Sequence, residues 1–337
     1  MRPWSDAQKL DVLREGSPLL FSPPQLNEGA DLTEWRTVQA EWLVPALPLT
    51  LANAIIVGPF HHPSARFEYP WSITNSIFRD PVDLTSATFL KTPFFDGCHF
   101  LRTVSLRDAR ITGSLELRGA FFGERLDATD LAVSASLDAR GAAFAETIFD
   151  RLQVEADALF QPSSPSAATV FTGPVSFASA RIAGLAVFSG ARFLDACAFD
   201  GLQARRGVFF NSSGQTGLPV QFRGPASFFA AEIRDKADFR GAIFFADAVF
   251  DQIGIGGDAD FGPDSLGRRV SFLADARFHA ARVGGAASFQ QADFFAQALF
   301  TESSFARGAN FDSVGFRRPA DFTGAQFSGP GPAVAAG

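Results

Sequence analysis

Phenylalanine returns along this chain on an alternating step of five and six residues. Phe278, Val283, Phe289, Phe294, Phe300, Phe305, Phe311, Phe316, Phe322 and Phe327 follow one another at 5, 6, 5, 6, 5, 6, 5, 6 and 5. Phe228, Ile233, Phe239, Phe244, Phe250, Ile255 and Phe261 keep the same rhythm, as do Phe177, Ile182, Phe188, Phe193 and Phe199. Nearer the start the pairs of steps merge into elevens: Ile56, Phe67, Phe78, Phe89, Phe100, Ile111, Phe122, Val133 and Phe144. A helix repeats every 3.6 residues and a strand every 2.0, so neither alone explains this period. It suits a chain that runs a short extended side, turns a corner and begins again. One large side chain per side then points at a common axis.

Within ADFRGAIFFADAVF, residues 237–250, an alanine stands two places before each such residue: Ala237 before Phe239, Ala242 before Phe244, Ala248 before Phe250. Residues two apart on an extended segment point to the same side. The earlier one is small because phenylalanine fills the axis, and the residue between them, such as Asp238, Asp260, Arg277 or Asp293, is expected to face water. The aromatic composition agrees, because 39 Phe against four Trp and one Tyr is what a stack of equivalent slots selects. A core of varied shapes would mix its aromatic types.

Three stretches interrupt the rhythm, at residues 161–170, 211–221 and 262–271. Each replaces a five-residue side by eleven or twelve residues rich in Ser, Gly and Pro. Phe171 to Phe210 and Phe222 to Phe261 each span 39 residues, which becomes two turns of 22 once a five-residue side is restored. A four-sided coil of 22 residues therefore places all three loops on one edge, on every second coil. Pro174, Pro225 and Pro319 each lie three residues before a ladder Phe and mark a recurring corner. Between 111 and 144 the apolar residues Ile111, Leu115, Phe122, Leu126, Val133, Leu137 and Phe144 alternate at 4 and 7, so a departure from a square section is expected there.

The pattern A-(D/N)-(L/F)-x-x, seen in Ala237-Asp238-Phe239-Arg240-Gly241 and Ala320-Asp321-Phe322-Thr323-Gly324, resembles the pentapeptide-repeat family, and the resemblance covers about four-fifths of the chain. It implies an all-β solenoid, a right-handed quadrilateral parallel β-helix, here in a Phe-rich variant with alternating five- and six-residue sides and about 22 residues per coil. The expected organisation is an N-terminal helical cap at 1–53, the β-helix at 54–329 and a flexible tail at 330–337. Ser5-Asp6-Ala7-Gln8 reads as a capping box, and Asp31 or Thr33 as the cap of a second helix running to about Leu43, with Trp35, Val38 and Trp42 near one face. Such a lid would cover the strand edges of the first coil. Residues 43–60 approach membrane-spanning length but are broken by Pro45, Pro48, Asn53 and Pro59, so they are read as a buried connection and no membrane span is expected.

Residues that could carry chemistry are few. Cys98 and Cys197 occupy alanine slots and read as packing thiols. His61-His62 has no further His or Cys at metal-ligand spacing, and His99 and His279 flank ladder residues and should point outward. The glycine-rich GIGGDADFGPD, residues 254–264, occurs once and carries ladder residues Ile255 and Phe261, so it reads as an ordinary coil. No catalytic, cofactor-binding or metal-binding residue is nominated, and the chain is not expected to be an enzyme. A net charge of -7, spread along the chain, disfavours direct nucleic-acid binding. Residues 1–30 lack a basic start followed by an apolar core, so a cytoplasmic location is expected.

These observations lead to a non-enzymatic scaffold or protein–protein interaction rod whose partner the sequence does not name, with the loop edge as the natural contact surface. The family resemblance adds two expectations: pairing of two copies through the C-terminal end, and, as an alternative function, mimicry of DNA towards a type II topoisomerase. Mimicry requires acidic residues stacked along one face, and the residues before Phe239, Phe261, Phe289 and Phe311 are Asp238, Asp260, Ser288 and Asn310. That row is acidic for two coils only. A carbohydrate-active β-helix enzyme is disfavoured for want of a carboxylate cluster.

Overall fold

A computed structural model describes residues 36–328. The capping box at Ser5, the candidate cap residues Asp31 and Thr33, Trp35 and the tail at 330–337 lie outside the described residues. Short parallel strands stack into four sheets of 12, 13, 11 and 12 strands. We number these faces 1 to 4 in the order the chain visits them from Leu49 onward. Face 1 runs from Leu49–Ala52 to Ala309–Asn310, face 2 from Arg36–Gln39 to Gly315–Phe316, face 3 from Phe60–His61 to Ala298–Leu299, and face 4 from Arg66–Phe67 to Gln326–Phe327. Each strand pairs in parallel with its equivalent one coil on, as Ala237 with Ala259 and Asp238 with Asp260. The solenoid thus has about 13 turns and, at the ~4.8 Å strand spacing, a length of about 60 Å.

The axis is filled as the spacing requires. On face 2 the rings of Phe78, Phe100, Phe122, Phe144, Phe171, Phe193, Phe222, Phe244, Phe272, Phe294 and Phe316 stack with centroids 4.5 to 5.2 Å apart. Rings on opposite faces meet edge to face across the axis: Phe239 of face 1 lies 5.4 Å from Phe228 and 5.3 Å from Phe250, both of face 3, at 88° and 89°. Both geometries suit the ring quadrupole. Face 4 differs, carrying the smaller Ile111, Val133, Val154, Ile182, Ala204, Ile233, Ile255 and Val283 along most of its length. Ala237, Ala242 and Ala248 are fully buried beside the rings, as their slot predicts.

Two kinds of corner produce the alternating step. After faces 1 and 3 the chain makes a hydrogen-bonded turn, as in Ala242 N–H to Phe239 O at 3.0 Å, with the third residue in the left-handed region, here Gly241 at φ 70°. After face 3 that position is often not glycine: Ala230 and Ala280 both sit at φ 52°. The other corners are open bends, and their amide groups bond the neighbouring coil, as Phe245 N–H does to Phe222 O at 2.8 Å.

Three expectations are corrected. The stretch 111–144 does not leave the square section. The inward ladder runs Ile111, Leu117, Phe122, Ala128, Val133, Ala139 and Phe144, and Leu126 and Leu137 occupy the slot that alanine holds elsewhere. Leucine and alanine have exchanged places, which keeps the axis filled without phenylalanine. The coil that follows is one residue short, pairing Leu126 with Thr147 and Leu137 with Ala158.

Secondly, the segment read as the end of a helix is extended. Arg36–Gln39 is a strand, followed by a 3-10 turn at Ala40–Trp42. Val38 pairs with Ile56, and this strand covers the first edge of face 2, which would otherwise be bare. The coil therefore starts within the region assigned to the cap. Thirdly, residues 43–60 are not a connection. They contain the strands Leu49–Ala52 and Ala54–Val57 on two successive faces, turned by Asn53 at φ 54°. Among the described residues no helix is long and apolar enough to cross a membrane.

Candidate interaction surface

All three loops leave from face 1 and return on face 2. They follow Ala158–Leu159, Val208–Phe209 and Ala259–Asp260, on alternate coils, so they form one edge. Each loop is tied internally. In the first, Ser163 and Ala167 close a turn, with Ala167 N–H to Ser164 O and Ser163 N–H to Ala167 O both at 3.0 Å. In the second, the amides of Ser213 and Gly217 donate to Leu218 O at 2.8 Å and Ser213 O at 2.7 Å. In the third, the Asp264 carboxylate accepts from the backbone of Leu266 and Arg268 at 2.9 Å and from Arg268 Nε at 2.6 Å. The corner between the second and third loops is Gly241, where a Cβ would stand 2.6 Å from Ser212 Oγ and 2.8 Å from Asp264 Oδ2. The loops thus close over a glycine, and Leu266, 69% exposed, lies against Gly217 of the loop before it.

Below this edge, face 1 carries the row of outward residues to which Asp238 and Asp260 belong. Its outward residues in register are Phe94, Glu116, Asp138, Leu159, Val187, Phe209, Asp238, Asp260, Ser288 and Asn310. The acidic pairs are separated by three apolar residues. The carboxylates are also neutralised in place: Asp138 takes Arg140 at 2.6 Å, and Asp238 takes Arg240 at 2.7 Å and Lys236 at 3.4 Å. Asp138 and Asp238 are therefore buried beneath their partners rather than facing water, a second-layer effect that the alternation rule did not anticipate.

Burial alone would raise the Asp238 carboxyl, but the hydrogen bonds and charge of Arg240 together with Lys236 hold it below its ordinary value. A depressed acid stabilises the fold above its unfolded pKa, and that contribution disappears as pH falls through the lower folded value. The gap in melting temperature between the native protein and Asp238→Asn should accordingly be widest near pH 6 and narrow below about pH 4. A gap independent of pH would show that the carboxylate is not what Arg240 holds.

The other sequence candidates disperse. Cys98 lies in the core, its Sγ donating to Ile73 O at 3.0 Å, and burial pushes its thiol up to about 12. Cys197 is buried on face 3 and raised by the same cause. His61 is exposed, with Nδ1 3.1 Å from Asp83, whereas His62 turns into the first rung of face 3, edge-on to Phe60 at 4.7 Å. Burial lowers the His62 pKa. His279 Nδ1 meets Thr301 at 2.9 Å. Among the described residues no group of three His, Cys, Asp or Glu gathers as a metal site. Gly254–Ile255 and Ala259–Asp260 are strands of faces 4 and 1, so the glycine-rich segment is a coil.

A family model described as pentapeptide repeats (9 copies) matches residues 73–120. No curated protein and no solved structure matches the chain.

Proposed function

Since the chain is a pentapeptide-repeat protein with a four-faced solenoid fold, we propose that it works as a non-enzymatic scaffold, an interaction rod that presents its loop edge to protein partners. The observation that carries this reading is the alignment of three internally bonded loops on alternate coils of one edge. Loops held on a rigid frame lose little conformational entropy on binding and are a common site of recognition. The C-terminal end is a second contact surface, for a protein partner. There Phe311, Phe316, Phe322 and Phe327, one from each face, are only partly buried.

The test compares two baits in a pull-down from the native cell extract: the intact rod and a rod whose three loops are cut back to five-residue sides, its fold checked by circular dichroism. A partner retained by the intact rod and lost by the trimmed one supports recognition by the loop edge. Equal recovery by both baits removes the loops from the reading, and recovery of a topoisomerase by both would replace it with DNA mimicry.

A further inference from the structure

Face 2 carries a row of large side chains on its outer surface, one per coil: Leu194, Arg223, Phe245, Leu273, Phe295 and Arg317. Each immediately follows the ladder phenylalanine of its coil, and the ladder is in unbroken register from Phe193 to Phe316. Leu194, Phe245, Leu273 and Phe295 are 40–42% exposed. The Arg223 and Arg317 guanidinium groups lie over the rings of Phe245 and Phe295, at 5.2 and 5.6 Å. Among the described residues neither pairs with a carboxylate, whereas Arg140, Arg240 and Arg277 do. The row is about 24 Å long at the strand spacing. Phe245, Leu273 and Phe295 form an unbroken run of exposed apolar side chains on successive coils, with Leu194 beyond Arg223, and such clustering marks interaction sites more often than singly scattered residues do.

We propose that this strip is an isologous interface, on which a second copy of the chain docks face to face with its rod axis reversed. The order of the side chains carries the argument. Read in opposite directions, Leu194 meets Arg317, Arg223 meets Phe295, and Phe245 meets Leu273, so each arginine finds an apolar or aromatic partner and no two arginines meet. The residues that follow the row are Asp195, Gly224, Ala246, Ala274, Ala296 and Arg318. Reversal sets Asp195 against Arg318 at both ends and leaves only small residues between, so the two backbones can approach. The residues that precede the ladder on the same face are Arg192, Gln221, Ile243, Ser271, Asp293 and Gly315. Reversed, they place Ile243 against Ser271 and Gln221 against Asp293, with no like charges opposed. Two rods docked in the same direction would set Arg223 against Arg223 and Arg317 against Arg317, which costs free energy instead. A two-fold axis between the Phe245 and Leu273 coils satisfies all three rows at once, as an isologous contact must.

This pairing is independent of the loop edge and of the C-terminal end. A contact confined to six coils of one face is small, so weak association, with dissociation on the order of 10 μM, is expected. Sedimentation of the full chain from about 1 to 500 μM should show a monomer–dimer equilibrium across that range. Phe245→Glu with Leu273→Glu, both surface positions, should give a monomer with an unchanged circular dichroism spectrum. Asp195→Arg should weaken the dimer about tenfold through repulsion of Arg318, and adding Arg318→Asp should restore it. A native chain that stays monomeric throughout would overturn the proposal. So would a dimer indifferent to the Phe245 and Leu273 substitutions but abolished by Phe322→Asp, which would place the contact at the C-terminal end.

Discussion

Phe239→Ala will lower the unfolding free energy by about 3–5 kcal/mol, the range for deleting a fully buried ring from a core that cannot collapse. Phe239 is completely buried, stacked on Phe210 at 5.3 Å and Phe261 at 4.8 Å. Its neighbours cannot move in to fill the hole, because the backbone of each coil is fixed to the next. Phe239 N–H, for example, donates to Asp260 O at 2.8 Å. Ala237→Leu alone should also destabilise, by about 1–3 kcal/mol, since the axis is already full. The two changes together recreate the arrangement found naturally at Leu137-Asp138-Ala139, where the leucine and alanine are both fully buried. The double variant should therefore lose at least ~1 kcal/mol less than the sum of the singles. Stability in a solenoid is approximately a sum of nearest-neighbour terms, so hydrogen exchange in this coil is the sharper readout. Simple additivity would mean that the exchange of leucine and alanine at 126–139 is not what keeps that part of the axis filled.

Gly256→Ala should cost about 2–3 kcal/mol, although it adds one methyl group at an exposed position of the solenoid. The cause is the closeness of successive coils on face 4. A Cβ at Gly256 would stand 2.3 Å from Arg234 O, a backbone atom that cannot rotate away. The coils would have to separate, stretching the bonds from Gly256 N–H to Ile233 O and from Gly257 N–H to Asp235 O, both 2.8 Å. Faster amide exchange confined to residues near 233–257 is the expected signature. Gly214→Ala, with no atom within 4 Å of the added carbon, serves as the control and should stay within about 0.5 kcal/mol of the native protein. Equal effects at the two glycines would show that coil spacing is not what excludes a side chain at 256.

The sequence by itself determined the period, the coil size and the edge from which the loops leave. Those follow from one physical fact: a phenylalanine fits this narrow axis only where the chain points inward, so Phe228, Phe239, Phe250 and Phe261 report the inward positions directly. Where that marker is missing, the reading slipped. In the coils around Leu115, Leu126 and Leu137 both inward slots accept an aliphatic residue, and only the strand register shows which slot each side chain fills. At the start, Trp35, Val38 and Trp42 are spaced as on a helix, yet Arg36–Gln39 is held extended by pairing with Ala54–Val57, a contact that local propensity does not encode. The outer surface was the least legible. Alternation places Asp238 outward, but only the stacking of Lys236 and Arg240 around it decides that the carboxylate is buried, and only the register of successive coils brings Leu194, Phe245, Leu273 and Phe295 into one strip. Inward positions are fixed by a period within the chain, whereas surface neighbours lie a whole coil apart and depend on every loop and short coil between them.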